Sequence, residues 1–220
     1  RPYLRTRGRN WTYEEVSASA DAAGAGLLEL GLGRGERIII ATSDRPEFVF
    51  TFWGAIKAGL VPVPVAQGLS VDDYRFMVTD SEAGAVVCDS ATARAVVPSM
   101  KGMQAHVLLI NDHTPPGVRS WAEVCGAPST LAPAPTTRED IALWLYTSGT
   151  TGFPKGVMIS HGALISTARN FLQAERLHES DEIMAYLPMA WIGDSFFSMA
   201  VAFLSGCTVN CPEDASTVRH

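Results

Sequence analysis

Four short aliphatic runs, set apart by helix-length segments and turn residues, constrain this chain more than any other feature. They are Arg37-Ile38-Ile39-Ile40-Ala41-Thr42, Val61-Pro62-Val63-Pro64-Val65, Ala85-Val86-Val87-Cys88 and Val107-Leu108-Leu109-Ile110. Runs this short and this apolar read as buried strands. The prolines of the second run each remove a ladder donor, so it is predicted as an edge or irregular strand. Helices are predicted between the runs. Thr12 and Glu15 form a capping box for a helix to about Leu30, ended by Gly31. Pro46 opens a second helix through Ala58, with Gly59 beyond its end, and Ser70 caps a third to about Ser81. Such alternation implies crossover connections: an α/β fold of layered sheets with mainly parallel strands and flanking helices.

A break is expected at residues 126–138, which hold three prolines and little apolar periodicity and read as a surface linker. The expected division is an α/β lobe over 1–125, the Pro-rich linker over 126–138 and a second α/β lobe over 139–220. In the second lobe a strand is predicted at Ile141–Tyr146, a helix from about His161 to Glu175, a strand near Ile183–Tyr186 and a helix around Ser195–Leu204. Residues 195–212 carry no charge, but serines, Asn210 and Pro212 favour a buried helix and strand over a membrane span. The 47% hydrophobic content supplies ample core. The net charge of -6, without a basic run, argues against nucleic acid as the main partner. Cys88, Cys125, Cys207 and Cys211 form no C-x-x-C pair, which argues against zinc and for reduced thiols in a cytoplasmic setting. No signal pattern follows the opening Arg1-Pro2-Tyr3-Leu4-Arg5, an abrupt start that is expected of an excised fragment.

Chemistry concentrates in residues 146–156, Tyr-Thr-Ser-Gly-Thr-Thr-Gly-Phe-Pro-Lys-Gly. Four Ser/Thr hydroxyls (Thr147, Ser148, Thr150, Thr151), three glycines (Gly149, Gly152, Gly156) and Lys155 fall within eleven residues. Glycines let backbone N–H groups approach an anion, and hydroxyls and an ammonium satisfy phosphate oxygens. No Asp or Glu occurs from Ile141 to Ala174, while Lys155 and Arg169 do. A P-loop is excluded because Pro154 follows Gly149 five positions on and Gly156 follows Lys155. The dinucleotide fingerprint fails at Glu29 and Glu36, and Tyr146 stands where a hydrolase elbow needs its first glycine.

This run resembles the glycine-rich signature of adenylate-forming (AMP-binding) enzymes: acyl- and aryl-CoA synthetases, luciferases and peptide-synthetase adenylation domains. It matches throughout from Tyr146 to Gly156. The resemblance extends to Thr12-Tyr13-Glu14-Glu15, to residues 52–64 (Phe-Trp-Gly-Ala-Ile-Lys-Ala-Gly-Leu-Val-Pro-Val-Pro) and to residues 185–191 (Ala-Tyr-Leu-Pro-Met-Ala-Trp). It implies the large N-terminal domain of such an enzyme, incomplete here. It also implies the reaction: a carboxylate attacks the α-phosphorus of ATP, pyrophosphate leaves, and a thiol, usually that of coenzyme A, takes the acyl group. Negative charge gathers on the leaving pyrophosphate, so donors are the main catalytic need.

Lys155 and Thr150 are the expected catalytic groups, with Thr147, Ser148, Gly149, Thr151 and Gly152 completing the ATP cradle and Thr147 also matching a magnesium position. Trp191 is expected either to wall the carboxylate pocket or to pack in the core, and cannot act as acid or base. Asp194 is expected to cap the helix at Ser195, and His161 to begin its helix rather than bind phosphate. Residues 185–204 resemble long-chain acyl-CoA synthetases and favour a fatty acid. Residues 73–77 and 144–146 are similar to benzoate-type aryl-CoA ligases, which stay the alternative, and a peptide-synthetase domain is disfavoured by the ending Val63-Pro64-Val65-Ala66. A non-catalytic nucleotide-binding scaffold is the reading from another class. The family's adenine, ribose, magnesium-Glu and catalytic-lysine elements are expected beyond His220, so the fragment alone is expected to be inactive. The expected partners are thus the acid, ATP and coenzyme A, without a transmembrane segment and with peripheral membrane contact compatible.

Overall fold

The capping box predicted at Thr12 opens the first helix. Thr12 Oγ1 accepts from the Glu15 amide at 3.1 Å, and Glu15 accepts from the Thr12 amide at 2.8 Å. In the computed structural model, which describes residues 1–6, 8–111, 114–147 and 154–212, this helix follows two short strands. These elements are β1 (Pro2–Arg5), β2 (Asn10–Thr12) and α1 (Tyr13–Glu29). Then come β3 (Arg37–Ala41), α2 (Pro46–Lys57), β4 (Val61–Pro64), α3 (Val71–Ser81) and β5 (Ala85–Asp89). The first half ends with α4 (Ala93–Ser99), β6 (His106–Ile110), β7 (Arg119–Ser120) and α5 (Trp121–Cys125).

The four aliphatic runs, joined by the short β7 at one edge, form one parallel sheet in the order β4-β3-β5-β6-β7. Alternate side chains sort to opposite faces. Ile38, Ile40, Val87 and Leu108 meet Val16 and Leu27 of α1 and Phe48 and Phe52 of α2. Ile39, Ala41, Val86, Cys88 and Leu109 meet Tyr74, Met77 and Val78 of α3 and Val96 of α4. Helices therefore cover both faces, which is why the strands read as continuous apolar runs. The proline-containing β4 is an edge strand, as predicted: the Val61 and Val65 amides donate to Glu36 and Ile40, leaving Pro62 and Pro64 on the outward alternate positions. Helices α1 and α2 approach so closely that a Cβ on Gly24 would lie 2.6 Å from the Gly54 carbonyl oxygen.

The second half contains β8 (Ile141–Thr147), β9 (Lys155–Ser160), α6 (His161–Glu175), β10 (Glu182–Met184) and α7 (Ile192–Asp194). A π-helical stretch at Ser195–Val201, α8 (Ala202–Ser205) and β11 (Thr208–Asn210) complete it. Residues 126–138 carry no regular secondary structure. The first strand reaches across the sequence: β1 pairs parallel with β11 and antiparallel with β2, giving the sheet order β10-β11-β1-β2. Tyr3 donates to the Ser198 carbonyl at 2.9 Å, and Tyr13 to those of Ala202 and Cys207.

Two expectations change here. The sequence predicts no strand between the glycine-rich run and His161, yet β9 fills that gap and pairs antiparallel with β8. Its three apolar residues, Val157, Met158 and Ile159, are consecutive and so show no alternation. The single helix expected at Ser195–Leu204 is instead a π-helical stretch followed by one short α-turn. Cys88, Cys125 and Cys207 are buried and Cys211 partly so, all as free thiols. No group of three or more His, Cys, Asp or Glu suited to a metal occurs among the described residues.

Candidate active site

Strands β8 and β9 form a hairpin whose register sets Thr147 opposite Lys155, at the mouth of the connecting residues 148–154. Ser148, Gly149, Thr150, Thr151 and Gly152 lie outside the described residues. Thr147 is exposed, and its Oγ1 makes one long bond, donating to the Lys155 carbonyl at 3.4 Å. Lys155 is exposed, and its ammonium makes no ion pair among the described residues. Among the described residues, an ammonium without an ion pair and a hydroxyl with one long bond thus lie opposite each other where the loop leaves the sheet.

The base of the hairpin is held firmly. Tyr146 donates to Asp80 Oδ2 at 2.7 Å and to the Met77 carbonyl at 3.2 Å, tying β8 to α3. Burial, then the bond to Asp80, pushes the Tyr146 phenol well above its ordinary range. Gly156 is required by contact: a Cβ there would lie 2.6 Å from Cε2 of the Trp144 indole. Trp144 Nε1 is buried without a hydrogen-bond partner. The helix that follows starts at the other end of β9. Ser160, which caps α6, pairs with Ile141 at the far end of the hairpin. Six residues of strand separate His161 from the loop, about 20 Å at strand rise. His161 does begin α6, as predicted. Arg169 also belongs to that far end, where it lines a cleft with His161 and Arg138.

Trp191 stands on a different segment. It is the residue before α7 and is 54% exposed, so core packing does not account for it. Its turn is fixed by the Trp191 amide donating to the Pro188 carbonyl at 2.9 Å and the Ser195 amide to the Trp191 carbonyl at 3.0 Å. Asp194 corrects another expectation. It makes no cap; it is 3% exposed, its Oδ1 accepts from Ser198 Oγ at 2.8 Å, and its Oδ2 is buried without a partner. Burial pushes this carboxyl up to about 6, the Ser198 bond opposes that, and Asp44 adds to it.

Asp44 is a residue that sequence reasoning passed over. It lies just beyond β3, and its Oδ1 accepts from the Met189 amide at 2.9 Å, joining the carboxyl edge of the parallel sheet to the segment bearing Trp191. Burial raises its pKa, partly offset by that bond. Beside it, Ser43 donates through both amide and hydroxyl to Asp89 Oδ2, while the Ala91 and Thr92 amides donate to Oδ1. Burial alone would raise Asp89, but these bonds outweigh it and hold the carboxylate below its ordinary value. In open parallel sheets, ligands bind outside the carboxyl ends of the strands, where Asp44 and Asp89 stand. The only sequence signal for Asp44 was its place between a buried strand and a helix-opening proline.

Known proteins share this architecture. A model of the family described as AMP-binding enzyme matches residues 1–220. The 3-hydroxybenzoate–CoA ligase of Aromatoleum sp. (strain CIB) is 31% identical over 210 residues, covering 94% of this chain and 40% of its own. The peroxisomal long chain acyl-CoA synthetase 7 of Arabidopsis thaliana is 29% identical, covering 99% of this chain and 35% of its own. The anthranilate CoA ligase AuaEII in complex with anthranoyl-AMP superposes with a TM-score of 0.88 at 27% identity, over 96% of this chain and 41% of that one. The chain thus spans 40% or less of the length of these two curated relatives. The signature on the β8–β9 hairpin, the layered sheets around it and these matches together make the chain a member of the AMP-binding enzyme family.

Proposed function

We propose that this chain is part of an ATP-dependent carboxylic acid–coenzyme A ligase that activates a fatty acid as its acyl-adenylate and passes the acyl group to the coenzyme A thiol. The hairpin carries the reading: Thr147 and Lys155 face each other, otherwise nearly unpartnered, at the mouth of a loop rich in hydroxyls and glycines. A free ammonium suits a phosphate oxygen, since a charge-assisted bond there replaces only water. In this reading Lys155 and Thr150 stabilise charge building on the departing pyrophosphate. Ser148, Gly149, Thr151 and Gly152 cradle the phosphates. Thr147 offers magnesium one neutral oxygen, a fit only where phosphate oxygens supply the other ligands, since no cluster of acidic or imidazole ligands surrounds it among the described residues. Trp191 presents its exposed indole as a wall for the acid.

The fatty substrate is supported by residues 185–204, whose exposed face includes Trp191, Ile192 and Phe197. An aryl acid is the second reading, favoured by the 31% identity to the 3-hydroxybenzoate–CoA ligase. The setting proposed is cytoplasmic, with small molecules rather than nucleic acid as partners. No described helix is long and apolar enough to cross a membrane. The chain by itself is proposed to be inactive, because it spans a minor part of its relatives' length. The test is pyrophosphate release by the full-length protein across aliphatic and aromatic acids. Release only with aromatic acids overturns the fatty reading; release with none overturns the ligase and leaves a nucleotide-binding scaffold.

A further inference from the structure

Two clefts adjoin at the end of the hairpin away from the glycine-rich loop, and their walls differ in chemistry. One, of about 340 Å³, is polar: Arg138, Thr137, Ser166 and Arg169 line it. The other, of about 290 Å³, is mainly apolar, with Val16, Trp53, Ile56 and Phe203 among its walls. Thr136 and His161 belong to both, so the two meet.

The charges around them leave an excess of positive charge. Asp21 is paired with Lys57 at 2.5 Å, and Asp140 with Arg34 at 2.5 Å. The guanidinium groups of Arg138 and Arg169 have no ion pair or hydrogen bond among the described residues. The helix terminus contributes little, because its first amides are already used: His161 donates to the Asp140 carbonyl, Gly162 to that of Arg138 and Ala163 to Ser160 Oγ. Burial lowers the His161 pKa, opposed by Asp140, so the imidazole at the join is a neutral hydrogen-bonding group near pH 7. The cationic character therefore comes from two unpaired guanidinium groups, which are suited to bidentate recognition of phosphate or carboxylate.

We infer that the joined clefts form a second ligand site for a single-chain amphiphile, whose anionic phosphate or carboxylate head meets Arg138 and Arg169 while its alkyl chain lies against Trp53, Ile56 and Phe203. The site is distinct from the loop proposed to hold ATP, since six residues of β9 separate them. Its occupancy does not depend on that loop or on ligase activity.

The experiment is calorimetric titration of the full-length protein with monomeric dodecyl phosphate in saturating ATP. Dodecanol, inorganic phosphate and phosphatidylglycerol vesicles are the comparison probes. Expected is saturable binding of dodecyl phosphate, at least tenfold tighter than inorganic phosphate. The double variant Arg138→Gln, Arg169→Gln should weaken it at least tenfold and leave dodecanol unchanged, as two charge-assisted bonds are lost. Ser17→Phe, whose position lines the apolar cleft, should weaken dodecyl phosphate and dodecanol alike. Both variants change exposed positions, and a thermal melt confirms that each is folded. Displacement by ATP, equal binding of inorganic phosphate, binding to vesicles alone, or affinity untouched by either variant would each overturn the assignment.

Discussion

The parallel sheet and strand β9 of the glycine-rich hairpin bury their apolar residues to very different extents. In β3 and β5 nearly every side chain is sealed between helices. In β9, Val157 and Met158 face solvent, Met158 at 57% exposure. The contrast extends beyond the hairpin. Of the twelve large hydrophobic residues exposed among the described residues, only Leu28 and Val71 precede residue 150. The two regions share one core, which Leu143, Met189 and Met199 enter beside Phe48 and Phe52, but the second also leaves a broad apolar face exposed and is tied down by polar tethers such as Tyr146–Asp80 and Met189–Asp44. A self-sealed core tolerates little change. A surface built to meet something else tolerates more in stability and less in function.

The sharpest way to break this comparison is to truncate the core. Phe52, fully buried on α2, should cost about 3–5 kcal/mol as Phe52→Ala, read from urea unfolding. A loss under about 1 kcal/mol would show that the sheet region is not the sealed core described.

Asp194 gives the next effect, through pH. Its folded carboxyl holds a proton up to about 6 against an ordinary 3.8, so ionising it opposes folding. Its stability contribution is whole below about pH 4, falls as pH rises toward 6, and is absent above. Asp44, raised in the same direction, works in the same sense. Asp194→Asn should flatten this slope and raise stability near pH 7 by roughly 2 kcal/mol. Melts from pH 4 to 8 check it, and an unchanged slope would assign the pH dependence elsewhere.

Lys155→Ala should separate function from stability in the second region. Loss of one charge-assisted phosphate bond is worth about 1.5–3 kcal/mol, roughly a ten- to hundredfold drop in pyrophosphate release by the full-length protein. Stability should move by less than about 0.5 kcal/mol, as expected for an exposed side chain. Thr150→Ala should act in the same direction but more weakly, because neighbouring hydroxyls and backbone donors substitute for it. Full activity in Lys155→Ala, or loss only through unfolding, would remove the phosphate cradle.

The smallest effect sharpens the other side of the contrast. Met158→Ala on the exposed face of β9 should change stability by less than about 0.5 kcal/mol in the same urea series that tests Phe52→Ala. A cost of several kcal/mol would mean that the hairpin face is packed after all.

How much was legible in advance follows from whether a signal was local. The capping boxes at Thr12 and Ser70 and the edge character of β4 were readable, because caps and prolines act on their own backbone neighbours. The glycine-rich family signature was readable for the same reason, since it is a contiguous run from Tyr146 to Gly156. Strand β9 was not. Its four residues after Lys155 and Gly156 carry no alternation, and its identity as a strand comes from pairing with β8. Asp194 was expected to cap because sequence shows position but not depth; it is 3% exposed, with its carboxyl accepting from Ser198 Oγ.

By itself the sequence determined the α/β class, strands β3 to β6 with helices α1 to α3, and the family signature at residues 146–156. All of these rest on interactions between residues near one another in the chain. Only the tertiary structure decided that β1 would be joined to β11, that Asp44 would hold the segment carrying Trp191, and that Arg138 and Arg169 would meet across one cleft. Those arrangements arise from contacts between distant segments, whose closure is set by the burial of the whole core and leaves no periodic trace in any one stretch.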